Sequence, residues 1–154
     1  MNSWRKVRLL SLRERLLLFE SLLLLPINGL ALRLVSFKRW QSVLAHLSRI
    51  NNVSDDAQAE SRIQDARATA RMVRVAAWHG LYRAKCLPQS LTLWWLLRRQ
   101  GIESDLRFGA RKEGSRLEAH AWVEFGGIPL NESSDLYHRF SPFENSAIPA
   151  EWKS

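Results

Sequence analysis

The sequence predicts an α+β fold in which a buried helix carrying the lone cysteine packs on a small antiparallel sheet, preceded by an N-terminal helical region. Three features point there. The stretch after Cys86 is apolar nearly all round, as a central helix must be. Beyond Ile102 the apolar period changes from helical to two, the pattern of half-buried strands. Before both lies a Leu-rich segment long enough for two helices.

Taken in order, residues 12–25 read as one helix, Pro26 with Asn28-Gly29 as a break, and residues 30–47 as a second helix. Residues 1–50 thus form a helical hairpin, with Leu22 to Leu25 expected to be buried in the fold or against a partner. Ser54, Asp55 and Asp56 suit a helix start, a capping hydroxyl followed by carboxylates at the positive dipole end. The helix they open carries Ile63, Ala66, Ala70, Val73 and Ala77 at helical spacing and stops near Gly80. Pro88 marks the first turn of the next helix, which ends at Arg98, Arg99 and Gly101.

Two alternating runs follow. Leu106, Phe108 and Ala110 define the first; Leu117, Ala119, Ala121, Val123 and Phe125 share one face of the second, with Glu118, His120, Trp122 and Glu124 opposite. Gly126-Gly127 then turns the chain into a short strand, Ile128 to Asn131. The tail from Ser133 reads as loop and short helix.

A chain of 154 residues, 46% hydrophobic, suffices for a single domain over 1–154, with a core at 54–154, and is far from a disordered composition. One cysteine excludes an internal disulfide, and four scattered histidines offer no close metal-ligand pair. No metal and no cofactor is expected. The net charge of +8 is concentrated at the front, where residues 1–50 hold nine Lys or Arg against Glu14 and Glu20. Without a Gly-rich loop, zinc finger or aromatic RNA-binding signature, nucleic acid is not the expected partner. The apolar run Leu16–Val35 is not expected to span a membrane. Glu20 and Arg33 bracket only twelve uncharged residues, interrupted by Pro26, Asn28 and Gly29, where a span needs about twenty. A cytoplasmic location follows.

The chemistry rests on Cys86 and His120. Cys86 begins a helix, where the dipole and free N–H groups favour a thiolate. His120 sits in mid-strand, an unusual choice for a half-buried sheet. If the Cys86 helix crosses the His120 face, thiol and imidazole come within hydrogen-bond reach. The ring then needs a third group to hold its tautomer. A two-residue Gly126-Gly127 loop pairs Phe125 with Ile128 and puts Asn131 on the His120 face, whereas a bulged three-residue loop sets Glu132 opposite His120.

The motifs Cys86-Leu87-Pro88-Gln89-Ser90-Leu91, Leu96-Leu97-Arg98-Arg99-Gln100-Gly101-Ile102 and Ala119-His120-Ala121-Trp122-Val123-Glu124 resemble the core of the leader peptidases of lasso-peptide biosynthesis. The resemblance covers about residues 70–143. It implies a transglutaminase-like, papain-like core, and a cysteine peptidase that removes the leader from a ribosomally made precursor of this antibiotic class. That family's triad is Cys, His and Asp. The acid's place falls on Glu132, a departure that leaves Asn131 and Asp135 as substitutes. The catalytic set implied is therefore Cys86, His120 and Glu132.

The implied partners are the precursor's leader, a separate leader-recognition protein, since residues 1–50 do not resemble that module, and an asparagine-synthetase-like cyclase. Another thiol-dependent acyl-transfer enzyme of the same fold and a non-catalytic scaffold are the alternative readings.

Overall fold

The computed structural model describes residues 10–48, 59–133 and 135–143. In chain order these form α1 (Leu12–Leu34), α2 (Phe37–Leu47), α3 (Ala59–His79), α4 (Cys86–Arg99), β1 (Asp105–Glu113), β2 (Arg116–Phe125), β3 (Ile128–Pro129), α5 (Leu136–Arg139) and β4 (Ser141–Pro142). The expected helix start at Ser54, Asp55 and Asp56 lies outside the described residues.

The N-terminal pair differs from expectation. α1 runs unbroken through Pro26 and Asn28-Gly29, and the chain turns at Val35-Ser36 instead. Pro26 removes one donor to the helix ladder, but Asn28 and Gly29 beyond it are buried and serve packing. Buried Asn28 donates to Thr92 Oγ1 at 2.8 Å and accepts from Trp40 Nε1 at 2.7 Å, so one amide ties α1 to α2 and α4. Gly29 lies under Tyr82, whose ring and hydroxyl occupy the space a Cβ would need. The start is capped reciprocally by Ser11 and Glu14.

Of the run Leu22 to Leu25, only Leu25 is buried in the fold, whereas Leu22 and Leu23 are exposed. They belong to an outer stripe that includes Leu12, Leu16, Phe19, Leu30 and Leu34. By length and composition α1 could cross a membrane. Its inner face, Leu17, Ser21, Leu25, Asn28 and Gly29, is nevertheless buried. Three of its charged residues pair with the helices beneath: Arg13 with Asp65, Glu14 with Arg71 and Glu20 with Arg99.

α4 is the central element. Leu91, Leu93, Leu96 and Leu97 are at most 1% exposed and share one core with Leu25, Val73, Leu106, Phe108, Ala121 and Val123. The sheet order is β3-β2-β1-β4, all antiparallel. Because Leu106 pairs with Val123 and Phe108 with Ala121, it is the Ala121/Val123 face that meets α4. Trp122, Leu136 and Phe140 form a second, smaller cluster on the other face. The expectation that α4 crosses the His120 face is thereby corrected: the alternating apolar set of β2 carries the larger burial, and it claims the helix.

Candidate active site

β3 pairs with β2 only at Phe125–Ile128 and Glu124–Pro129, which leaves the rest of that β2 edge open to the N-terminal end of α4. The edge groups of Ala121 and Val123 are taken up there. Ser90 Oγ donates to the Ala121 carbonyl at 2.9 Å. Asn131 Oδ1 accepts from the Val123 N–H at 2.9 Å, and the Leu130 N–H donates to the Val123 carbonyl at 2.9 Å. The first turn of α4 is thus bolted to the strand edge one residue beyond His120.

This docking brings Cys86 and His120 together around the edge of the sheet. The half-buried thiol sits beside the His120 side chain and the backbone of Ala121 and Leu87, near enough for each to favour its ionised form. Nε2 of His120 lies 2.7 Å from Glu132 Oε1. An ionised carboxylate only accepts, so Nε2 carries the proton of that bond, which leaves Nδ1 as the nitrogen available to the thiol. The ring is stacked on Phe140, centroids 4.8 Å apart, with Trp122 at 6.3 Å. Two near-parallel aromatic neighbours restrict its rotation and leave its edge nitrogens free to bond.

Electrostatics follow from these contacts. Burial alone would push the Cys86 thiol up, but the His120 hydrogen bond, the two backbone bonds and the imidazolium charge outweigh it, and the net shift is downward. Burial likewise pulls His120 down, yet its bonds to Cys86 and Glu132 and their charges raise it to about 9. Both shifts favour a thiolate–imidazolium pair over the neutral thiol and imidazole.

Helix geometry supplies an anion-stabilising group as well. The first N–H groups of a helix have no intrahelical acceptor, and Pro88 has none to offer. In the first turn of α4 this leaves Cys86 and Leu87, of which Leu87 bonds the sulfur. The Cys86 N–H remains, placed where it could receive an oxyanion if the thiol attacked an acyl carbon.

The three expected site residues therefore meet. Of the substitutes for the third, Asn131 bridges Val123 N–H and Ser90 Oγ, and exposed Asp135 pairs with Ser133 and Arg139; neither touches the ring. The route to Glu132 differs from the expected one. The hairpin has the tight two-residue loop, the register argued to favour Asn131, but β3 ends at Pro129. Beyond it the chain leaves strand geometry, so facing can no longer be counted along it.

Sequence reasoning missed Phe140, Ser90 and Tyr82. Phe140 and Tyr82 give no local signal, while Ser90, one of the few polar residues inside a largely apolar helix, is visible. The acids and histidines of the described residues form no group suited to a metal ion.

The chain matches a family model described as Transglutaminase-like superfamily over residues 30–145. No curated protein and no solved structure gives a significant match.

Proposed function

Since the chain belongs to the transglutaminase-like superfamily, we propose that it is a cysteine peptidase that removes the leader from a lasso-peptide precursor. The observation that supports this most is the unbroken series Cys86, His120, Glu132 at the N-terminal end of α4. The thiolate attacks the scissile carbonyl, and the oxyanion is held by the Cys86 N–H. The leaving amine takes the proton from His120 as the acyl-enzyme forms. Water, deprotonated by His120, then releases the leader as a carboxylate and restores the thiol. Glu132 holds the ring in the required tautomer and stabilises its cationic form.

The reading places the protein in the cytoplasm, working with a separate leader-recognition protein and upstream of an asparagine-synthetase-like cyclase, which consumes the new N-terminus. The test is incubation with a candidate precursor and recognition protein, followed by mass spectrometry. Leader and core released at one bond support it. Release of ammonia with formation of a new amide instead would identify an acyl transfer to amine, and an intact precursor would favour a scaffold.

A further inference from the structure

Two clefts reach the reactive groups, and both are cationic. One of about 420 Å³ contains Cys86 and Ala119 with Arg33, Arg83 and Lys85. Another of about 560 Å³ runs between α3 and β3, containing Glu132 with Arg67, Arg71 and Arg74. A smaller depression of about 320 Å³ shares Arg74 with the second and Arg83 with the first. Joined through these shared arginines, the three clefts make up a cationic trough bordering the thiol.

Its cations are available. Arg71 is committed to Glu14, but Arg33, Arg67, Arg74, Arg83 and Lys85 have no carboxylate partner among the described residues. Elsewhere arginines find acids, as Arg99 does with Glu20, Arg107 with Glu124 and Arg111 with Glu118. The carboxylate of Glu132, within the trough, is already engaged by His120. Arg67, Arg71 and Arg74 follow one another at i, i+4 and i+7 along one face of α3. Arg67 to Arg74 covers about 10 Å of helix, or about three residues of extended chain.

The trough also offers a peptide-specific contact. Ala121 and Val123 turn their N–H and C=O groups to the open edge of β2, and by the period of two Ala119 does the same. Ala119 lines the Cys86 cleft, where an extended backbone can pair with it by strand addition. A nucleic acid has no such complement, nor an acyl carbon for the thiol.

We propose that Arg67, Arg74, Arg83, Lys85 and Arg33 form a subsite for an acidic stretch of the peptide substrate, held extended as it passes Ala119 toward Cys86. Only the idea that the bound peptide is then cut rests on the function proposed above.

The test is fluorescence anisotropy of the full chain with a labelled hexaglutamate peptide and its hexaglutamine counterpart. Hexaglutamate binds at least about tenfold more tightly at low salt and loses that advantage as salt screens the charges. The double reversal R67E/R74E, checked for folding by circular dichroism and paired with the milder R67Q/R74Q, lowers hexaglutamate affinity roughly tenfold or more. Bound hexaglutamate slows alkylation of Cys86 by iodoacetamide. Equal binding of the two peptides, binding indifferent to both double variants, or unprotected Cys86 overturns the proposal, as does tighter binding of an oligonucleotide of equal charge. Leader release with charge-blind binding faults the subsite alone; charge-selective binding without release faults the peptidase reading alone.

Discussion

Glu132 Oε1 lies 2.7 Å from His120 Nε2 although the hairpin joining their segments has the tight register. The contact depends on a strand that stops after two residues, and it divides the work of neighbouring side chains. Glu132 holds the ring, whereas Asn131 closes the strand edge onto α4.

That division predicts opposite phenotypes. Glu132→Gln keeps the shape but loses the charge that stabilises imidazolium, so peptide cleavage falls by more than about tenfold with little change in melting temperature. Asn131→Ala leaves the Val123 N–H without its partner and costs about 1–3 kcal/mol of stability, read by denaturant unfolding, with a smaller loss of activity than Glu132→Gln. The reverse order would assign the orienting role to Asn131.

Cys86→Ala removes the nucleophile and little buried volume. Cleavage should vanish while circular dichroism and melting temperature stay close to those of the unaltered protein. Residual turnover would exclude a thiol mechanism.

The pH profile of kcat/KM follows from the two shifts. On the acid side the rate falls as Cys86 gains a proton, below the usual thiol range because its pKa is lowered. On the alkaline side it falls as His120 loses its proton, near pH 9. Since Glu132 helps raise His120, Glu132→Gln moves the alkaline limb to lower pH. An unmoved limb would separate Glu132 from the titration.

Gly29→Ala should be destabilising despite its helical setting, where alanine is ordinarily preferred. The added methyl meets the Tyr82 ring, and such overpacking costs about 1–3 kcal/mol. Because Tyr82 also lines the Cys86 cleft, the variant should lose activity along with stability. A rise in melting temperature would show that Tyr82 gives way freely.

Much of this architecture is legible in the sequence where periodicity is strong. The all-round apolar run of α4 and the alternation of β2 announce a buried helix on a sheet, and the start of the helix carries Cys86 and the middle of the strand His120. What local pattern misses is set by distant partners. Pro26 and Asn28-Gly29 look like a turn, yet Asn28 is satisfied by Trp40 and Thr92, twelve and 64 residues away, and the close approach of Tyr82 calls for a glycine at 29. The sheet edge is equally invisible locally: nothing around His120 tells that β3 is short enough for α4 to dock beside it.

Tertiary ties of α1 carry a prediction of their own. With its inner face buried and Arg13, Glu14 and Glu20 paired to α3 and α4, the chain should be recovered in the soluble fraction. Recovery only in detergent would show that the outer leucine stripe enters a membrane.

The most direct measurement of the central claim, that His120 activates Cys86 as the nucleophile, is the rate of Cys86 alkylation by iodoacetamide as a function of pH. Wild-type protein should titrate with a pKa below that of an ordinary thiol, and His120→Ala should raise it toward the ordinary range or above, since burial is then opposed only by the backbone of Ala121 and Leu87. A wild-type thiol of ordinary pKa that is indifferent to His120→Ala would contradict the account.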